Sequence, residues 1–222
     1  MDSILAIVPA FNAESTLGEL LTRLRQYPEL QEVVVINDGS TDATGEIAKQ
    51  SGALLLEHTR NKGKGAALQT GFDYALTRSG WDAVVTIDAD LQHMPEELPK
   101  FFRTRRETGA DIVIGYRGRL GTRMPLPRMA SNTLTSMLVS ARTGLKIKDS
   151  QCGYRLIGSE VLEVVRLESE GYEAETEFLL KAARNGFRVE FIPIMTIYNN
   201  ERSFMTHWET TKRFIQVLMK EY

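Results

Sequence analysis

The first half of the chain alternates short apolar runs with helix-patterned segments, and this rhythm restricts the fold more than any other feature. Residues 4–8, 33–36, 53–57, 83–87 and 112–114 read as strands, each a nearly continuous apolar run. Between them, 14–25 sets Leu17, Leu20, Leu21 and Leu24 at helical spacing, and 43–50 forms a second helix. Residues 65–77 carry Leu68, Phe72, Ala75 and Leu76 on one side, and 95–104 open on Pro95, a favoured first helical residue. Strands alternating with helices at this interval predict βαβ units and a mostly parallel sheet. Continuous rather than alternating apolar strands fit a sheet covered on both faces. Ligands of such sheets bind beyond the C-terminal ends of the strands, so the polar residues that follow strands carry the chemical information.

The second half is less regular. Helices are expected over 129–142, 158–166 and 174–185, the last closed by Gly186, with a late strand over 188–194. A terminal helix over 208–222 places Trp208, Ile215, Leu218 and Tyr222 on one face, with Lys212, Arg213 and Lys220 off it. No repeat, low-complexity tract or linker interrupts the 222 residues, so one domain is expected.

Composition removes several classes. Lys plus Arg is 27 against 29 Asp plus Glu, a net charge of −2, so no global positive field gathers nucleic acid. The single cysteine, Cys152, rules out an intrachain disulfide and a zinc site built on four cysteines or on two cysteines with two histidines. With His58, His93 and His207 none of them evidently positioned beside it, Cys152 reads as packed rather than nucleophilic. The N-terminal run lacks a positive n-region and meets Pro9 at once, which suits a strand rather than a signal peptide. The apolar-leaning residues 134–141 fall far short of the roughly 18–20 residues of a spanning helix, so any membrane relationship is expected to be peripheral.

Four clusters could carry chemistry. Ile87-Asp88-Ala89-Asp90-Leu91-Gln92 leaves the fourth strand with two carboxylates two residues apart, and Gln92 adds an amide oxygen. Hard oxygen ligands of this kind suit Mg2+ or Mn2+ alongside phosphate oxygens. Asn37-Asp38-Gly39-Ser40-Thr41-Asp42 follows the second strand; Asp38 could accept hydrogen bonds from a nucleobase or ribose, and Ser40 or Thr41 could cap the next helix. Asn61-Lys62-Gly63-Lys64-Gly65 opens a helix with glycines and lysines, a natural phosphate site that matches neither a P-loop nor a dinucleotide fingerprint. Arg117, Arg119, Arg123 and Arg128 follow the fifth strand, then Asp149-Ser150-Gln151-Cys152-Gly153-Tyr154-Arg155, and later Tyr198 and Arg202. Arginine forks bind phosphate bidentately.

In combination and order these motifs resemble glycosyltransferase family 2, in its branch that transfers sugar to polyprenyl phosphates such as dolichyl phosphate. Val8-Pro9-Ala10-Phe11-Asn12-Ala13-Glu14, Ile36 to Asp42, Asn61 to Ala67, Asp88 to Gln92 and Ile114-Gly115-Tyr116-Arg117 carry the resemblance. It covers residues 4–155 well and the remainder loosely. It implies an α/β GT-A fold: a Rossmann-like, mostly parallel central sheet with helices on both faces, one domain over 1–222. Residues 1–115 would form the nucleotide-sugar half and 116–222 the acceptor half. It implies that Pro9, Phe11, Asn12, Glu14 and Asp38 line the nucleobase and ribose pocket, with Lys62 on the donor side. Asp88, Asp90 and Gln92 would hold Mg2+ or Mn2+ and the donor diphosphate. Arg117, Arg128, Ser131 and Arg202 would contact donor or acceptor phosphate. Asn37 stands where the family often has an aspartate, and the Gln-x-x-Arg-Trp of processive polysaccharide synthases is missing, which favours transfer of a single sugar.

The implied reaction is inverting transfer of a hexose from UDP-glucose or GDP-mannose to a polyprenyl phosphate (dolichyl or undecaprenyl). A phosphate monoester, with a second pKa of about 6, needs no strong base near neutrality. With a saccharide or other hydroxyl acceptor, the alternative within the enzymes, a base is required, and Asp149 is the residue expected to supply it. A non-catalytic nucleotide-sugar-binding protein is the third reading, and the retained Asp38, Asp88 and Asp90 speak against it. The expected setting is the cytoplasm, peripherally on the cytoplasmic face of a membrane. The apolar stripe of the helix over 208–222 would either touch the bilayer or pack on the sheet, and a separate membrane-anchor protein is a further candidate partner.

Overall fold

The computed structural model describes residues 3–117, 126–197 and 207–222, with the side chains of 126–128 and 207–210 outside the description. Strands β1 (Ile4–Ala10), β2 (Leu30–Asn37), β3 (Leu54–Glu57), β4 (Ala83–Thr86) and β5 (Ile112–Arg117) alternate with helices α1 (Leu17–Leu24), α2 (Thr44–Gln50), α3 (Lys64–Leu76) and α4 (Leu98–Thr108). A 3-10 turn at Pro95–Glu97 leads into α4. Then follow α5 (Leu126–Thr143), β6 (Arg155–Gly158), α6 (Ser159–Val164), α7 (Ala174–Arg184), β7 (Val189–Ile194) and α8 (His207–Met219).

The strands form one sheet in the order β3-β2-β1-β4-β6-β5-β7. Strand β6 pairs antiparallel with both β4 and β5, and every other pairing is parallel. Ile4, Ala6, Ile7 and Val8 of β1 and Val34, Val35 and Ile36 of β2 are all but fully buried, as two-sided coverage requires. Helix α1 packs against α2, and α3 against β1, β2, α6 and α7, so the sheet is covered on both faces. This is the α/β architecture expected from the alternation, with one addition. Residues 155–157, for which no element was expected, and Gly158, expected to open a helix, insert β6 between β4 and β5. Because β6 reverses direction, β4 and β5 still point the same way, and the loops after both open on one edge of the sheet.

The C-terminal helix buries a different stripe from the expected one. Phe214 and Val217 are buried, and Leu218 and Tyr222 pack against the core, while Ile215 and Met219 remain exposed. Helix α8 packs on α7 and α5, so much of its apolar surface is used inside the protein. Helix α5 instead exposes Leu134, Met137 and Leu138, at 59, 64 and 41%. No helix among the described residues is long and apolar enough to cross a membrane.

Candidate active site at the sheet edge

The loops after β1 and β2 are stitched together by side chains. Asn12, in the left-handed region at φ 49°, donates its N–H to Ser40 Oγ and accepts the Thr41 N–H on Oδ1, both at 2.9 Å. Glu14 Oε2 accepts the Ala43 N–H, and Asp42 Oδ2 accepts the Glu14 N–H, each at 3.1 Å. Ser40 and Thr41 do not cap α2. Asp42 takes that place, accepting the Thr44 N–H at 3.0 Å, because its carboxylate sits two residues before the helix start. Phe11, 37% exposed, follows on this frame two residues after Pro9 near the end of β1.

Asp38 was expected to face a ligand. It is buried, and both its oxygens are already engaged. Oδ1 receives the Lys62 N–H at 2.9 Å and lies 2.6 Å from His58 Nδ1, while Oδ2 receives the Gly63 N–H at 2.8 Å. His58 Nε2 in turn lies 2.9 Å from Thr70 Oγ1 on α3. Asp38 therefore clamps the 58–63 loop against the end of β2. Lys62 contributes its backbone to this clamp, and its side chain is exposed.

Lys64 is the lysine that reaches the carboxylates. Its ammonium lies 2.6 Å from Asp88 Oδ1 and 2.6 Å from Glu175 Oε1 on α7. Burial works against charge on Asp88, yet the Lys64 ammonium, foremost among the nearby cations, holds its carboxyl below the usual carboxylate range. Burial pushes the Glu175 carboxyl upward, with Lys64 opposing. Tyr172, 42% exposed, stands at the rim with its ring centroid 5.9 Å from the Lys64 ammonium. Residues 169–171 lie directly on the start of α3, where Gly65 donates its N–H to Glu170 O at 2.7 Å. A Cβ at Gly65 would sit 2.1 Å from Ser169 O, so only glycine admits this approach.

Beyond Asp88 the chain turns through Leu91, at φ 56°, and Asp90 Oδ1 accepts the Gln92 N–H at 3.0 Å. Asp88, Asp90 and Gln92 are all partly exposed at the strand end. Among the described residues, no three His, Cys, Asp or Glu side chains gather as a metal cage. Two carboxylates and an amide suit Mg2+ or Mn2+, which commonly take only one or two carboxylates from protein and the rest from phosphate and water.

Arg117, at the end of β5, forms a fork on Asp149: Nε to Oδ2 at 2.7 Å and Nη2 to Oδ1 at 2.9 Å. Asp149 also accepts the backbone N–H groups of Arg117 and Gln151. Burial opposes charge on Asp149, but Arg117 outweighs it and keeps the carboxyl below its usual range. The base role expected for Asp149 under a hydroxyl acceptor does not suit this geometry, since a saturated, acid-shifted carboxylate is a poor proton acceptor. Ser131 is exposed on α5. The side chain of Arg128, together with Arg119, Arg123, Tyr198 and Arg202, lies outside the described residues.

Arg155 is buried and bonds the carbonyls of Cys152, Ser150 and Glu175, which makes it a strut beneath the site rather than a phosphate ligand. Cys152 does have a histidine beside it: His93 Nε2 lies 3.8 Å from its sulfur. Burial pushes the thiol up to about 12 and His93 down to about 4, so the pair remains neutral and inert, as a packed cysteine should.

Comparison with known proteins places these features in context. The family model described as glycosyl transferase family 2 matches residues 5–165. An undecaprenyl-phosphate mannosyltransferase of Micrococcus luteus is 33% identical over 202 residues, covering 86% of this chain and 82% of its own. A polyprenol monophosphomannose synthase of Mycolicibacterium smegmatis is 32% identical over 202 residues, covering 86% and 76%. Among solved structures, glucosyl-3-phosphoglycerate synthase of Mycobacterium tuberculosis, in complex with Mn2+, uridine diphosphate and phosphoglyceric acid, superposes with a TM-score of 0.79. That match covers 98% of this chain and 77% of the synthase at 22% identity, a likeness of fold.

Proposed function

This chain belongs to glycosyltransferase family 2, and from that premise we propose that it moves one hexose, with inversion, from UDP-glucose or GDP-mannose to a polyprenyl phosphate. The observation that carries the reading is the meeting of two charges on one sheet edge. Asp88 follows β4 and Arg117 ends β5, and these two strands run the same way on either side of β6, so both residues stand at one edge of the sheet. A donor diphosphate and an anionic acceptor must approach each other here, and a fixed guanidinium offsets their repulsion without becoming a nucleophile.

In this reading residues 1–115 bind the donor and 116–222 the acceptor. The exposed Phe11 ring and Pro9 form the nucleobase platform, Asn12 and Glu14 keep its loop in place, and Asp38 holds the facing 58–63 loop. Asp88, Asp90 and Gln92 would hold Mg2+ or Mn2+, which when bound neutralises charge on the departing nucleotide diphosphate. Arg117, oriented by Asp149, meets the acceptor phosphate, with Arg128, Ser131 and Arg202 as further acceptor-side groups. The acceptor phosphate is itself an anionic nucleophile near neutrality, so no residue is required to take its proton.

The acceptor decides between this reading and transfer to a hydroxyl. With purified protein and Mg2+ or Mn2+, a short polyprenyl phosphate is expected to accept sugar at least a hundredfold faster than the matching polyprenol. Equal rates would return the hydroxyl acceptor to first place.

The same reading calls for a surface that meets the bilayer. Between Asp111 and Asp149 the sequence has no acidic residue and seven Lys or Arg. Exposed Leu134, Met137 and Leu138 on α5 lie within that stretch, with exposed Arg142, Lys146 and Lys148 following. Apolar side chains entering the interface together with cations near anionic headgroups, each worth about 1 kcal/mol, would hold the protein peripherally on the cytoplasmic leaflet. Pelleting with vesicles containing phosphatidylserine should fall at least tenfold for Leu134→Asp/Met137→Asp. A folded double variant that pellets like the wild type would remove α5 from this role.

A further inference from the structure

Glu175 has no part in the transfer just described, yet it is a buried carboxylate directed at the catalytic edge. It sits in the first turn of α7 and is 4% exposed. Its Oε1 lies 2.6 Å from the Lys64 ammonium, whose other partner at 2.6 Å is Asp88 Oδ1. The three groups converge on Gly153. A Cβ there would stand 2.7 Å from Lys64 Nζ, 2.9 Å from Asp88 Oδ2 and 2.9 Å from Glu175 Oε1. The backbone is therefore brought to within contact of all three charges, at a position that any larger residue would disturb. Glu175 is also anchored from behind, because its carbonyl accepts Arg155 Nη1 at 3.1 Å. Lys64 is fixed by the docking of residues 169–171 on the start of α3.

We propose that Glu175 is a positioning residue for the metal-binding carboxylate Asp88, acting through Lys64. An ammonium with a single carboxylate partner closes on that partner and competes with any cation for it. Shared with Glu175, the Lys64 ammonium is held to one side, touches Asp88 through Oδ1, and sets the rotamer in which Asp88 meets its ligand. Partners that orient a ligating carboxylate commonly change metal affinity by 10–100-fold when removed. The inference rests on the assignment of Asp88, Asp90 and Gln92 as the cation site, and the test separates the two.

The test measures Mn2+ binding directly, by electron paramagnetic resonance of free Mn2+, with no donor or acceptor present. Glu175→Met, which removes the acceptor while keeping length, is expected to raise the Mn2+ Kd about tenfold or more. Glu175→Gln, which keeps the shape and a weaker acceptor, is expected to raise it about threefold. Lys64→Arg keeps the charge but cannot place a planar fork beside Gly153. It is expected to weaken Mn2+ binding by itself, and adding Glu175→Gln to it should change nothing further. Wild-type protein that binds no Mn2+ would overturn the cation-site assignment. Wild-type protein that binds, with folded Glu175 variants within twofold of it, would overturn this inference alone. Should Glu175→Met not fold, Glu175→Gln decides by the same twofold criterion. A full Glu175→Gln effect retained in Lys64→Arg would show that the route does not pass through Lys64.

Discussion

Asp90→Ala is expected to lower kcat about a thousandfold while leaving the fold in place. The two aspartates after β4 are not equivalent. Asp88 gives one oxygen to the Lys64 ammonium at 2.6 Å and is partly withdrawn beneath the site. Asp90 follows two residues later, in a bend shaped by Leu91 at φ 56°, with Oδ1 receiving the Gln92 N–H. That bend orients the Asp90 carboxylate and sets Gln92 beside it. Losing the carboxylate removes the main anchor for a cation that stabilises the leaving diphosphate, a contribution of several kcal/mol. About 4 kcal/mol corresponds to about a thousandfold in rate. The side chain is only partly buried, so its loss leaves no sizeable cavity and the melting temperature should move by no more than a few degrees. Steady-state transfer assays together with thermal unfolding check both halves of this expectation. A variant retaining more than a tenth of the wild-type rate would end the assignment of Asp90.

The strand–helix alternation was legible because each unit is short, local and strongly patterned. Leu17, Leu20, Leu21 and Leu24 mark the buried face of α1, and all four are buried. Strand β6 was not legible. Arg-Leu-Ile-Gly is too short to show a period, and its antiparallel place depends on β4 and β5, which lie far away in sequence. The carboxylate edge after β4 could be read from two aspartates at a strand end, but its electrostatic partner could not, since Lys64 and Glu175 are 111 residues apart.

A signal did exist for both of these residues. Lys64 lies four residues before Leu68 and eight before Phe72, on the buried stripe of α3. Glu175 lies three and four residues before Phe178 and Leu179, which are buried on α7. A charged residue on an apolar helical stripe must find a partner when buried, and two such residues of opposite sign are candidates for each other. Asp38 has a structural task that its type and place did not reveal, because the backbone N–H groups of Lys62 and Gly63 donate to its oxygens. Unpaired loop N–H groups compete for any nearby carboxylate, and sequence spacing does not reveal which will reach it.

Arg117→Lys is expected to reduce kcat/KM for a polyprenyl phosphate by about 30–1000-fold, with donor affinity changed much less. A loss of about 2–4 kcal/mol is the range for disrupting a desolvated, bidentate charge contact. In this reading Arg117 spans two tasks: its Nε and Nη2 hold Asp149, and from the end of β5 it meets the acceptor phosphate at the edge that Asp88 also occupies. Lysine keeps the charge but offers no fork, so it can satisfy Asp149 or an incoming phosphate and not both. Arg117→Ala is the harsher change and confounds two effects, because it strands a buried Asp149 at a cost of about 3–5 kcal/mol. Their pH dependence separates them. Asp149 has a folded-state pKa below its unfolded value, so its stabilising contribution is present above the unfolded pKa of about 3.9 and is lost as pH falls through the folded pKa. Without Arg117 that downward pull disappears and burial raises the carboxyl instead. Arg117→Ala should then lose stability near neutrality and lose comparatively little more on acidification, whereas the wild type loses its Asp149 contribution at low pH. Arg117→Lys should retain most of the neutral-pH stability and still transfer poorly. Acceptor kinetics that stay within threefold of wild type in a folded Arg117→Lys protein would confine Arg117 to holding Asp149, and the acceptor phosphate would have to be met by other groups on this edge.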